Sequence, residues 1–313
     1  MIRFLAGRVA RAAVTLLLVL LLVFAGARIS GNPFDFLYDE GLTAEQREAL
    51  SAEFGLDRPL PAQFAAYVGA IAQGHFGVSI AQRRPVLDLY AEALPATLAL
   101  ATAAFTLTLA VGLPLGVLAA IGRGRLLGGL AMAIAFIGYA VPHFLLAVLL
   151  VLVFGLGLGW LPSVGGDSIA HYVLPTVTLA AGLVAAVVRF LRGEMLEVLA
   201  QDYIRTARAT GLPPHRVLLG HALRNAMLPV LTIVGLQLSG LINGSLIVET
   251  VFALPGIGQT FVGAVQLRDY PVLQFGVLAY ALVVIAVNLL VDLLYAIADP
   301  RIRRGGGARI AEA

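Results

Sequence analysis

Six stretches of this sequence run without Asp, Glu, Lys or Arg for about the length of a membrane-crossing helix. They lie between Arg11 and Arg28, Glu92 and Arg123, Arg125 and Asp167, Asp167 and Arg189, Arg224 and Glu249, and Asp269 and Asp292. A hydrocarbon core of roughly 30 Å takes about 20 helical residues. Backbone groups in lipid must satisfy one another, so such stretches are helices. The third interval is too long for one helix. It is expected to end near Phe154, ahead of the glycine-rich run 155–162, where Trp160 suits an interface. The composition agrees: 60% of the 313 residues are hydrophobic and 12% charged, about half the charged share of soluble domains. The expected fold class is an all-α polytopic membrane protein with six transmembrane helices.

Arginine sets the direction. With the N-terminus in the cytoplasm, the inner segments hold 15 of the 21 arginines and the outer segments 6, while 12 of the 18 acids fall outside. The positive-inside rule then places both termini in the cytoplasm. The net charge of +3 is read as this asymmetry, with no nucleic-acid partner implied. The first span also has the ingredients of a secretory signal, a basic start and the small run Ala25-Gly26-Ala27. Five further spans make an uncleaved anchor the expectation. A single transmembrane domain over 1–300 is expected, with an extracytoplasmic cap at 30–92, a cytoplasmic loop at 189–228 and a short basic tail at 301–313.

The cap contains Thr43-Ala44-Glu45-Gln46, a capping-box pattern that opens a helix. After Pro59 and Pro61, Phe64, Val68 and Ile71 follow at helical spacing. The cytoplasmic loop is more informative. Met195, Leu199 and Tyr203 are four apart, which predicts a helix. Gly211 has the position of the glycine that follows a helix end. Pro213 and Pro214 forbid continuation and suit the first turn of a new helix. A merely solvated basic loop needs no such break, so a protein-docking element is the reading.

Some chemistry is absent. There is no cysteine, hence no disulfide and no thiolate metal site. Every basic residue is arginine, so a phosphate-binding loop, which needs lysine, cannot be built. The histidines His75, His143, His171, His215 and His221 are scattered. No catalytic residue, metal site or cofactor is assigned to this chain.

The run Asp202-Tyr203-Ile204-Arg205-Thr206-Ala207-Arg208-Ala209-Thr210-Gly211, followed by His221-Ala222-Leu223-Arg224-Asn225-Ala226-Met227-Leu228-Pro229, resembles the cytoplasmic loop of binding-protein-dependent ABC importer permeases. It is similar to the branch that imports dipeptides, oligopeptides, glutathione and nickel. Gly55-Leu56-Asp57-Arg58-Pro59-Leu60, Gly77-Val78-Ser79, Glu249-Thr250-Val251-Phe252-Ala253-Leu254-Pro255-Gly256, Arg268-Asp269-Tyr270-Pro271 and Asp299-Pro300-Arg301 extend the likeness over essentially the whole chain. Two positions depart from it. Arg205-Thr206-Ala207 replaces the general Glu-Ala-Ala, a substitution typical of the peptide branch, and His75 stands where an acid is usual. The short outer loop at 157–172 is closer to the glutathione and nickel permeases.

The resemblance implies a type I ABC importer permease fold and a non-catalytic role in the inner membrane. It implies a second homologous permease, two cytoplasmic ATPase subunits that bind ATP and Mg, and an extracytoplasmic substrate-binding protein. It also assigns Asp202, Tyr203, Arg205, Thr206, Ala207, Arg208, Gly211, Leu212, His221, Arg224 and Asn225 to ATPase coupling. Peptide-type import, glutathione included, is the leading function and nickel import the alternative. An intramembrane hydrolase or an ion-coupled secondary transporter is less favoured, because no serine nucleophile motif exists and the spans hold no carboxylate before Asp292.

Gly112 and Gly116 in the second span, and Gly240 and Gly244 in the fifth, suit close helix approach. Gln237, Ser239, Asn243 and Ser245 make the fifth span polar. Polar groups at membrane depth are buried in the bundle or line a path, so His143, Gln237, Ser239 and Asn243 are candidate pore-lining residues. Asn288 and Asp292 share one face near the cytoplasmic end. The orientation has a direct check, because the chain carries no thiol of its own. Cysteines placed singly for Arg47 or Arg83 should react with an impermeant thiol reagent on intact spheroplasts, and those for Arg208 or Arg304 should not. The opposite pattern overturns the topology.

Overall fold

The computed structural model describes residues 2–29, 43–53 and 55–298. Almost all of them are helical, and extended pairing among them is confined to one isolated bridge, Val78 to Pro85. In chain order the helices are α1 (Ile2–Ile29), α2 (Ala44–Glu53), α3 (Leu60–Ala72), α4 (Val86–Ile121), α5 (Leu126–Ala140), α6 (His143–Leu150), α7 (Ala170–Leu199), α8 (Asp202–Ala209), α9 (Pro214–Arg216), α10 (Arg224–Val251), α11 (Ile257–Gln266) and α12 (Tyr270–Ala298). Wider π-helical turns extend α6 over Val151–Gly157 and link α9 to α10 over Val217–Leu223.

Among the described residues four helices are long and apolar enough to cross a membrane unaided: Ala10–Ile29, Val86–Ile121, Ala170–Leu199 and Tyr270–Leu289. Two further candidate spans are bent helix pairs. Leu126–Ala140 meets His143–Gly157 at 103°, and Pro214–Met227 meets Pro229–Gly235 at 44°. Counting each bent pair once gives the six expected spans. The third departs from expectation, since it does not run straight to Phe154 but breaks at Val141–Pro142. Proline lacks an N–H and drives its predecessor out of the helical region. Val141 is accordingly extended, at φ −88° and ψ 119°.

The chain forms two compact units, residues 1–96 with 255–285, and 97–254 with 286–313. In the second unit α7 is the axis, and α5, α6 and α10 pack on it. It buries Leu174, Leu179, Val184, Val188, Leu191 and Met195. Glycines let its neighbours approach. A Cβ on Gly116 of α4 would lie 2.9 Å from Leu191 Cβ, one on Gly138 of α5 2.7 Å from the Ala181 carbonyl oxygen, and one on Gly244 of α10 2.7 Å from Leu179 Cδ1. Tyr139 holds α5 to α7 from the side, with the Arg189 guanidinium 4.1 Å from its ring centre, a cation–π contact. The buried hydroxyls of Thr108 and Thr178 are satisfied along their own helices, donating to Ala104 and Leu174 carbonyls at 2.8 and 2.9 Å.

The first unit is tied by polar contacts between distant segments. The buried Asp269 carboxylate accepts from the Ser79 hydroxyl and from the backbone N–H groups of Ile80 and Ala81 at 3.2 Å. The Tyr90 hydroxyl donates to the Val272 carbonyl at 2.9 Å, and Phe275 makes edge contacts with Phe76 and Tyr90. Val86, Leu89, Ala264 and Val272 fill the core beneath. The capping box forms as expected. Gln46 N–H donates to Thr43 Oγ1 at 3.2 Å, and Thr43 N–H donates to Gln46 Oε1 at 2.9 Å. The second helix of the segment forms over Leu60–Ala72, with Phe64 and Tyr67 against Phe24 of α1.

These approaches predict an asymmetry between two glycines of α5. Gly138→Ala places a methyl group against backbone that cannot swing aside and should cost about 1–3 kcal/mol. Gly129 has nothing within 4 Å of a new Cβ, so Gly129→Ala should be neutral or stabilising by up to about 1 kcal/mol. Thermal unfolding in detergent, followed by the loss of monodisperse protein, checks both.

Candidate functional site

The segment expected to dock a partner is built around α8. The helix preceding it does not continue to Tyr203 as the four-residue spacing suggested. α7 stops at Leu199, Gln201 is extended at ψ 149°, and α8 starts afresh at Asp202. Its far end closes as the position of Gly211 foretold. Leu212 N–H donates to the Ala207 carbonyl at 3.3 Å and Gly211 N–H to the Arg208 carbonyl at 3.1 Å. Together these form a Schellman motif. Gly211 takes φ +79° with nothing crowding it, in the left-handed region where glycine is free of the Cβ penalty. Leu212, just beyond, packs in the same apolar cluster as Ala207.

The helix has two faces. Ile204 and Ala207 are buried with Leu191, Met195, Val217, Ala222 and Ala226. Asp202, Tyr203, Arg205, Thr206, Arg208 and Gly211 are exposed, and Arg205 pairs with Asp202 at 3.1 Å. That surface pair contributes little stability and leaves the second cation, Arg208, outward. Three of the expected residues converge. Asn225 Nδ2 donates to the Tyr203 hydroxyl at 3.0 Å and to the His221 carbonyl at 2.9 Å. The amide thus ties α8 to the π-turns and to the first turn of α10, where Arg224 is exposed beside it. The result is a short helix, seated on an apolar underside and clamped to the start of a long one, with a polar face outward.

The pore candidates are dispersed. His143 opens α6 just after the Pro142 break, half-buried against Gly182, and its Nδ1 has no partner among the described residues. Gln237 is half-buried at a void of about 10 Å³ lined also by Phe105, Thr108, Leu183 and Leu241, which includes none of the other candidates. Asn243 is exposed on α10, and the Ser239 side chain lies outside the described set, as does Asp292. Sequence reasoning counted Glu249 among solvent-side charges, yet it is fully buried in the last turn of α10, one turn after the buried Ser245. The missed signal was its place one residue short of Thr250-Val251, inside an unbroken helical stretch. The Ser79–Asp269 pairing was also missed, because nothing in the spacing links residues 190 apart.

Comparison with known proteins follows the same lines. Residues 112–304 match the family described as binding-protein-dependent transport system inner membrane component, and residues 1–101 match its N-terminal companion. The glutathione transport system permease protein GsiC of Escherichia coli strain K12 is 43% identical over 290 residues, covering 92% of this chain and 95% of its own. The protein of the same name from Shigella dysenteriae serotype 1 aligns to the same extent. Among solved structures, an inward-facing form of the MetNI methionine ABC transporter superimposes with a TM-score of 0.56 at 21% identity, over 69% of this chain and 98% of that one. An amino acid ABC transporter gives 0.52 at 16% identity, over 66% and 93%. These two likenesses bear on the fold alone.

The clamp at Asn225 can be tested without reference to activity. Asn225→Ala removes two neutral hydrogen bonds, together contributing about 0.5–1.5 kcal/mol at this exposed position. Amide hydrogen exchange across 202–212 should quicken by roughly 2- to 10-fold, while α7 stays protected.

Proposed function

Because the chain belongs to the binding-protein-dependent transport system inner membrane components, we propose that it forms, with a second homologous permease, the path by which a peptide-type substrate, glutathione or a short peptide, is imported. The supporting observation is the 43% identity to a glutathione transport permease over nearly the full length of both chains. That identity favours a peptide-type cargo over nickel.

In this reading both termini and α8 lie in the cytoplasm, as the arginine distribution indicates. Two ATPase subunits hold ATP and Mg and each seats one coupling helix. This chain has no lysine to build a phosphate loop, so ATP hydrolysis falls to those subunits. A soluble binding protein delivers cargo on the opposite side, where 43–92 and 255–270 present their loops. The exposed Asp202, Arg205, Thr206 and Arg208 meet the ATPase surface, and the buried Ile204 and Ala207 keep the helix seated while it is pushed. ATP-driven closure of the ATPase pair displaces α8. The Asn225 clamp passes that displacement to the start of α10, and the path exchanges an inward for an outward opening. The work is mechanical.

Gly211 is the sensitive point. Valine at φ +79° is strained by about 1–3 kcal/mol, which is small beside the insertion of six apolar spans. Gly211→Val should therefore reach near-normal membrane levels, retain its ATPase subunits weakly and lose most uptake of labelled glutathione or dipeptide. Gly211→Asn, which tolerates left-handed backbone better, should recover much of it. Full uptake by the valine variant with ATPases co-purifying normally removes Gly211 from coupling.

A further inference from the structure

The first unit contains a cavity of about 330 Å³ that none of the coupling chemistry uses. Its described lining includes Arg28, Arg58, Gln63, Tyr67, Tyr270 and Gln274 together with apolar groups, and no acidic side chain is among those described lining residues. Three of its polar atoms are buried and lack a hydrogen-bond partner among the described residues: Arg28 Nε, the Tyr67 hydroxyl and Gln63 Oε1. Gln63 is only 7% exposed. Its Nε2 is already committed to the Leu56 and Arg58 carbonyls at 3.0 and 2.6 Å, which fixes Oε1 in place as an acceptor in want of a donor. Burial pushes the Tyr67 phenol up to about 12, so it remains a neutral donor at any physiological pH. Buried polar atoms are nearly always paired, and unpaired ones call for an explanation.

Depth identifies the ligand class. Arg28 lies in the last turn of the apolar stretch Ala10–Ile29, and Tyr270 is the first residue of the apolar stretch Tyr270–Leu289. Two spans of about bilayer length therefore end at this cavity, one leaving and one entering, which sets it at the headgroup level. Its third wall, α3, carries no charge over Leu60–Ala72 and exposes Leu60, Pro61, Ala62 and Ala65, a surface suited to lie in the interface. Two guanidinium groups with a phenol donor recognise a phosphate, and phosphodiester is the anion most concentrated at that depth. We propose that this cavity binds the headgroup of a membrane phospholipid. The phosphate is held by Arg28, Arg58 and Tyr67, and a hydroxyl or ammonium of the headgroup donates to Gln63 Oε1. The proposal rests on membrane location alone and is independent of the cargo.

The test uses the intact importer in mild detergent with Ala66→Cys in this otherwise cysteine-free chain, since Ala66 lines the cavity. Maleimide labelling of this chain is followed by mass, with short-chain phosphatidylethanolamine or phosphatidylglycerol, the matching diacylglycerol, inorganic phosphate, or glutathione added. Either phospholipid should slow labelling by about tenfold at saturation, and the other additives should leave the rate within about twofold. Adding Arg28→Gln or, at the exposed rim, Arg58→Gln should abolish most of the protection. Arg28→Lys should keep much of it, which separates lost charge from lost fold. Equal protection by diacylglycerol reduces the cavity to an apolar contact. Protection by phosphate or glutathione without phospholipid assigns it to a soluble anion. Either result, no protection by any additive, or undiminished protection in both glutamine variants overturns the proposal.

Discussion

Helices in hydrocarbon gain nothing by hiding apolar surface from one another, because lipid tails are as apolar as leucine. Contact between them depends on closeness, and in this protein closeness is set by what the helices around α7 leave out. Gly116, Gly138 and Gly244 each remove a side chain where α7 presents Leu191, the Ala181 carbonyl or Leu179. The rest of the second unit follows from that fit. Leu179 and Leu191 of α7 fill gaps on its partners, His143 of α6 fills the gap that α7 leaves at Gly182, and the buried hydroxyls of Thr108 and Thr178 turn back onto their own backbone. The 103° turn at Val141–Pro142 is accommodated by the same rule, since α5 and α6 meet α7 separately.

The segment around α8 obeys a different constraint. A helix of eight residues is too short to persist on propensity alone. α8 persists on a Schellman closure at Gly211, an apolar seat under Ile204 and Ala207, and a side-chain tie from Tyr203 to Asn225. This leaves the opposite face free to be polar and exposed.

Much of this was legible in the residues. Charge-free intervals revealed the spans, since ionised groups are costly in lipid. Gly211 and the prolines after it marked a break, since their backbone preferences are local. What escaped the sequence was long-range or cooperative. The helix break after Leu199 has no glycine or proline to announce it, and the four-residue spacing of Met195, Leu199 and Tyr203 runs through it unaltered. Glu249 reads as a span boundary by charge, yet tertiary packing buries it completely. The convergence on Asp269 depends on two loops meeting, which no periodicity encodes. Membership of the inner membrane transport components was legible because its marks are short contiguous runs, and these survive without knowledge of the packing. The surroundings of His143 and Gln237 are of the other kind, set by neighbours that lie far off in the chain.

The contact between Ser79 and Asp269 also orders events in time. A ribosome that has delivered Ser79 must add another 190 residues before the carboxylate that fastens that loop exists. In the interval the whole of 97–254, nearly all of the second unit, is made and threaded into the bilayer. The first unit begins earliest and is fastened last, so a chain cut short anywhere before Asp269 leaves its opening segment without its clasp.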